Sequence, residues 1–181
     1  MASITILTGS PGTGKTTLAG RLAAASPRGV HLSGDVFYNF ISNLVSPILP
    51  GAHAQNATVI SAIARAAGAF ASGGYDVVVD SVIGPWSLPA FAQELEGVRV
   101  PLHYVVLRAR LEDTVRRAQS RDHSGDERIV RHMHGEFEDL GAFERHALDS
   151  SDRTTDDVFA ELARRWRAGD FFLGTAGVAT P

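Results

Sequence analysis

Short apolar runs alternate with longer stretches of helical period along the whole chain. Ile4 to Thr8 predicts a first strand, and Lys15 to Ala25 the helix after it, broken by Ser26, Pro27, Arg28 and Gly29. Val30 to Ser33 predicts a second strand, and the apolar, aromatic stretch Val36 to Val45 a helix. Pro47, Pro50 and Gly51 mark a loop, and Gln55 to Ala71 an Ala-rich helix stopped by Gly73 and Gly74. The run Asp76 to Asp80 (DVVVD) has the unbroken apolar centre of a strand buried on both faces, and Leu102 to Leu107 predicts another such strand. Leu111, Val115 and Ala118 mark one face of the next helix; Arg121 to Asp126, with Gly125, interrupts it. Helix resumes over Glu127 to Leu140, followed by a short strand near His146 to Leu148 and a helix over Thr155 to Arg167. The remainder, through Phe171 and Phe172, reads as a loose tail.

Repeated strand–helix alternation predicts a parallel sheet covered by helices on both faces. Such a sheet binds its ligands beyond the carboxyl ends of its strands. Asp35 and Asp80 fall just after or at such ends. With 181 residues the chain forms one domain, with residues 1–167 as its body and 168–181 as the tail. The first strand pattern begins almost at the N-terminus, with no signal-peptide core before it.

Composition narrows the chemistry. There are no cysteines, which excludes disulfides, thiolate zinc sites and cysteine nucleophiles and fits a reducing cytoplasm. No apolar run has the length of a membrane span. The formal charge of −3 disfavours extended contact with DNA or RNA. Of the 17 basic residues, Lys15 is the single lysine.

That lysine stands in Gly9-Ser10-Pro11-Gly12-Thr13-Gly14-Lys15-Thr16, which matches G-x-x-x-x-G-K-[ST] between a strand and a helix. The glycines let backbone N–H groups turn toward phosphate oxygens, and the helix N-terminus adds partial positive charge. Lys15 is the expected counter-charge for the β- and γ-phosphates of ATP. The Thr16 hydroxyl is an expected Mg²⁺ ligand, with Thr17 beside it in the nucleotide site. Asp80 reads as a second carboxylate near Mg²⁺ or the substrate, or as a cap for the turn at Ser81. Asp35 reads either as the base for an acceptor hydroxyl or as an N-cap for a helix starting at Val36. Phe37, Tyr38, Phe40 and Trp86 are candidate walls of an acceptor pocket or ordinary packing.

Seven arginines fall between Arg108 and Arg131. Arg117 and Arg121, four apart, share a helical face and suit a transferring phosphoryl group, with residues 117–131 acting as a lid. The alternative for these charges is a solvated helix with an Asp113–Arg117 pair. His132 and His134, two apart on a helix, do not share a face and make no metal site.

The chain as a whole resembles the small P-loop kinases related to shikimate and gluconate kinases, from roughly Ile4 to Arg167. Leu32-Ser33-Gly34-Asp35 is similar to the corresponding piece of gluconate kinases and chloramphenicol phosphotransferases. Ile129-Val130 through Phe137-Glu138-Asp139-Leu140 resembles gluconate kinases, and Pro101-Leu102-His103-Tyr104 through Arg116-Arg117 resembles tunicamycin-resistance-type ATP-binding proteins. The resemblance implies a five-stranded parallel sheet ordered 2-3-1-4-5, with Asp35 as catalytic base and Arg117 and Arg121 as lid arginines. It also implies phosphoryl transfer from ATP·Mg²⁺ to a small-molecule hydroxyl, such as that of a sugar acid or a hydroxylated antibiotic. The other readings are a nucleotide or polynucleotide kinase of the same fold and, from a different class, a nucleotide-dependent switch without a small acceptor.

Overall fold

The computed structural model describes residues 2–121 and 127–177. Six strands form one sheet: β1 (Ser3–Gly9), β2 (Gly29–Ser33), β3 (Asp76–Asp80), β4 (Pro101–Arg108), β5 (Ala147–Asp149) and β6 (Phe172–Thr175). The helices are α1 (Lys15–Ala24), α2 (Gly34–Asn39), α3 (His53–Ser72), α4 (Leu88–Gln93), α5 (Leu111–Arg121), α6 (Glu127–Gly135) and α7 (Thr155–Ala168). The first five strands are parallel in the order β2-β3-β1-β4-β5, as the resemblance implies.

Side chains alternate across a strand, so a central strand feeds two cores. Ile4, Ile6, Val77, Val79, Leu102, Tyr104 and Val106 point to one side, where α3 and α4 bring Ile63, Ala67 and Phe91. Leu7, Val78, Val105 and Leu107 point to the other, against Leu18 and Ala19 of α1 and Val158 and Leu162 of α7. This double burial is why DVVVD is legible as a strand with no polar alternation.

Three boundaries differ from the sequence reading. The helix expected over Val36 to Val45 ends at Asn39. Beyond it the chain is clamped onto α3, where the Gln55 amide accepts from the Val45 N–H (3.0 Å) and donates to the Val45 carbonyl (2.8 Å). The helix expected through Leu140 ends at Gly135, and a turn delivers Phe137 and Leu140 into the core. The segment read as a loose tail adds β6, antiparallel to β4. Phe171 is fully buried and its carbonyl accepts from the Tyr104 N–H at 2.9 Å. The physical reason is a vacant half-edge: β5 pairs only with Val106 to Arg108, leaving Pro101 to His103 open for β6.

Candidate active site

The loop between β1 and α1 is shaped by its glycines. Gly12 has φ +85°, and a Cβ there would sit 2.3 Å from the Thr114 carbonyl oxygen of α5, so the loop closes against that helix only without a side chain. Gly14 has φ +98° with nothing within 4 Å of a Cβ position, and it precedes α1 without any side-chain cap. No side chain caps the first turn of α1, and a helix N-terminus carries the partial positive charge that attracts phosphate. The Ser10 carbonyl accepts from the Thr13 hydroxyl at 2.9 Å and from Lys15 Nζ at 3.0 Å. Lys15 is thus folded back along its own loop. Thr16 and Thr17 stand exposed on the first turn of α1.

A cleft of about 220 Å³ opens beside this loop, lined by Gly12, Gly14, Thr17, Arg117, Arg153 and Thr155 among others. Ser150, Arg153, Thr155 and Val158 are residues that the sequence reading did not find. Their only sequence signal is position after a short last strand, whose carboxyl end the parallel sheet turns toward the loop. The Ser150 hydroxyl, buried, donates to the Thr13 carbonyl at 3.3 Å and the Arg108 carbonyl at 2.9 Å. Arg153 is held by Glu161 at 2.6 Å.

The carboxylates of Asp35 and Asp80 arrive on neighbouring strand ends. Ser33 of β2 stands opposite Asp80 of β3, and a Cβ on Gly34 would lie 2.3 Å from the Ser81 hydroxyl. Asp80 is only 5% exposed and lies 3.3 Å from His31 Nε2. His31, unnoticed in the sequence, reaches Asp80 because it sits two residues before Asp80's partner on the same face of the adjacent strand.

Asp35 lies in the first turn of α2, whose N-cap is Ser33, so the expected capping by Asp35 of a helix starting at Val36 does not occur. The Asp35 side chain is exposed and has no hydrogen-bond partner among the described residues. The Tyr38 hydroxyl is held above the ordinary tyrosine range by burial first and by the Asp35 charge second. The two groups therefore share one local environment.

The aromatic candidates separate. Phe37 and Phe40 meet edge to face at 5.8 Å, and Phe37 and Tyr38 pack partly against the core. Trp86 instead meets Phe137 at 5.6 Å. Its loop is pinned from both sides: the Ile83 N–H donates to the Thr8 hydroxyl at 2.8 Å, and the buried Tyr104 hydroxyl donates to the Ile83 carbonyl at 2.9 Å.

On α5, Arg117 borders the nucleotide-side cleft. Asp113 pairs with Arg110 and Arg116, and the Arg117 charge also acts on its carboxyl. Arg121 closes α5, but its side chain, like Gly125, lies outside the described residues. His134 Nε2 donates to the Ala109 carbonyl at 3.0 Å, packing α6 against the end of β4. If Arg117 meets phosphate in the transition state, Arg117→Ala lowers kcat more than it raises KM for ATP. A loss of about 10²-fold in kcat is expected for one oriented donor. Steady-state kinetics over ATP concentration decide it, and an unchanged kcat makes Arg117 a surface charge.

The sheet order, the glycine loop and the cleft define a P-loop kinase fold. The chain belongs to the AAA domain family, whose profile matches residues 4–140. No curated protein matches it. Among solved structures, it is similar to a gluconokinase from Sinorhizobium meliloti 1021, with 17% identity and a TM-score of 0.66, over 93% of this chain and 91% of that one. The Mycobacterium tuberculosis APS kinase CysC, solved with AMPPNP and APS, is similar at 17% identity and a TM-score of 0.67, over 92% and 98% of the two chains. The Deinococcus radiodurans tunicamycin resistance protein matches at 16% identity and a TM-score of 0.66, over 92% and 96%. A chain of the Pnkp1/Rnl/Hen1 RNA repair complex matches at 18% identity and a TM-score of 0.57, over 75% of this chain; the match spans 43% of that chain's length. Among the described residues no helix is long and apolar enough to cross a membrane.

Proposed function

We propose that the protein is an ATP-dependent phosphotransferase that moves the γ-phosphoryl group to a hydroxyl of a small molecule. The observation that carries this reading is an exposed carboxylate, Asp35, with no hydrogen-bond partner among the described residues, one strand end away from the buried Asp80 and on the same sheet edge as the P-loop. A switch that only cycles nucleotide has no need of a free carboxylate there. A kinase needs a group to orient the hydroxyl and take its proton.

In this reading the uncapped amides of α1 and the Lys15 ammonium bind the β- and γ-phosphates, and Arg117 adds charge from the lid side. Asp35 accepts the acceptor's hydroxyl proton as its oxygen bonds to the γ-phosphorus. The bond from that phosphorus to the bridging oxygen breaks, and ADP carries the electron pair away. The Thr16 hydroxyl and the Asp80 carboxylate are hard oxygen donors that suit Mg²⁺, which takes few protein ligands when phosphates supply the rest. Once bound, Mg²⁺ neutralises charge on the β- and γ-oxygens. His31 keeps the Asp80 carboxylate oriented.

The experiment is ATP consumption by the purified protein, alone and with sugar acids, nucleosides and hydroxylated antibiotics. Stimulation by an acceptor, with a phosphorylated product, is expected. Slow ATP hydrolysis that no acceptor alters returns the switch reading.

A further inference from the structure

The end of the sheet away from the P-loop holds a second cavity. β1 and β3 start there, at Ser3 and Asp76, whereas the phosphate loop follows the other end of β1. The cavity has a volume of about 280 Å³, and its apolar walls are Leu22, Val78, Phe159, Ala163 and Trp166. Leu22, Phe159 and Trp166 pack against the core on this side of the sheet yet stay only partly buried. A concave apolar wall with two aromatic side chains suits a ring. The same two helices border the nucleotide-side cleft further along, through Thr17 and Leu18 of α1 and Thr155 and Val158 of α7. Among the described residues the two cavities share no lining residue.

The polar end of the cavity is built around a carboxylate. Ser3 Oγ donates to Asp76 Oδ1 at 2.9 Å, and Ser26 Oγ donates to Asp76 Oδ2 at 2.7 Å. All three residues line the cavity. A hydroxyl has one proton to give, so both serines have spent theirs, while each carboxylate oxygen accepts more than one bond. The Trp166 indole N–H is spent as well, on the Thr5 hydroxyl at 3.0 Å. This end therefore offers a ligand chiefly acceptors, the Asp76 carboxylate first. Arg28, whose carbonyl accepts from the Asp76 N–H, sends its guanidinium to the Gly73 carbonyl (2.9 Å) and over the Tyr75 ring (4.5 Å). Arg167 borders the cavity from α7, where it is exposed to solvent. An ammonium against Asp76 makes charge-assisted hydrogen bonds. A carboxylate there meets like charge, and a bond to an exposed arginine offsets little of that.

We infer that this cavity is a second ligand site, separate from the nucleotide cleft, and that it takes a small aromatic amine. The ammonium goes to Asp76 and the ring to the wall of Phe159 and Trp166. The inference does not depend on the kinase reading, since neither Asp35 nor the P-loop takes part.

The test uses 2-phenylethylamine and its anionic counterpart, 3-phenylpropionate, with the full-length protein in calorimetric titration. Saturable binding of the amine is expected, with the propionate weaker by about tenfold or more. AMPPNP·Mg²⁺ should not displace the amine, and Lys15→Ala should bind it as the wild type does. Asp76→Asn should weaken the amine by about tenfold or more, and Ala163→Leu, which fills the cavity, should abolish its binding. Melting curves check that both variants fold. A further readout needs neither of them: Trp86→Phe leaves Trp166 as the one tryptophan, and its emission should change with the same saturation as the calorimetric signal. No saturable binding, equal or tighter binding of the propionate, displacement by AMPPNP·Mg²⁺, or an unmoved Trp166 emission overturns the inference. So does undiminished amine binding in a folded Asp76→Asn or Ala163→Leu.

Discussion

Lys15→Ala is expected to abolish ATP turnover and to weaken ATP binding by on the order of 30-fold or more, because it removes a charge-assisted contact of about 2–3 kcal/mol. The ammonium now donates to the Ser10 carbonyl across its own loop, 3.0 Å away. That bond is local, and the loop's shape is set independently by Gly12 against α5 and by Thr13 and Ser150. Melting of the variant is therefore expected to match the wild type in the absence of nucleotide. The wild type should gain more stability than the variant when the same concentration of ATP·Mg²⁺ is added, since a ligand that binds only the folded state raises its stability in proportion to its affinity. Calorimetric titration, initial rates and melting with and without nucleotide make the comparison. Undiminished affinity and turnover in the variant would refute the phosphate site.

Asp35→Asn is expected to cut phosphoryl transfer by roughly 10²-fold or more while leaving folding and ATP affinity intact. The sequence allowed a helix cap at this position, and a cap would make the substitution harmless, since Asn caps as well as Asp. The structure removes that alternative: Ser33 is the N-cap, and the Asp35 carboxylate has no hydrogen-bond partner among the described residues. Hydrolysis with water as acceptor should suffer less than transfer. A second readout does not depend on activity. The Asp35 charge opposes ionisation of Tyr38, so the Tyr38 pKa should fall in Asp35→Asn while the larger effect of burial persists. Ultraviolet titration of tyrosinate follows it. Wild-type transfer by the variant would pass the base role to Asp80.

The P-loop and the order of the elements, α4 (Leu88–Gln93) and β6 excepted, were legible in the sequence because both are local. Eight consecutive residues carry the loop, and the period of apolar positions, two or 3.6, is printed within each segment. DVVVD announced a central strand because its valines face two cores at once. Where the local signal thinned, the reading slipped. The apolar residues after Asn39 do not prolong α2 because Gln55, ten positions on, clamps Val45. The final Phe171-Phe172 pair forms part of the sheet because β5 is too short to cover β4.

What only the tertiary structure decided are the contacts that cross long stretches of chain. His31 and Asp80 are 49 positions apart and meet because β2 and β3 pair in one particular register. Ser150 is 137 positions from Thr13, and it reaches the loop because parallel pairing sends the end of β5 to the same edge as the end of β1. Trp86 lies against Phe137, not the aromatics of α2, because Thr8 and Tyr104 fix the turn that carries it. The sequence by itself determined which chemical groups the protein owns and that a phosphate loop holds the nucleotide. Strand order and register, set by burial on both faces of the sheet, decided which of those groups stand together.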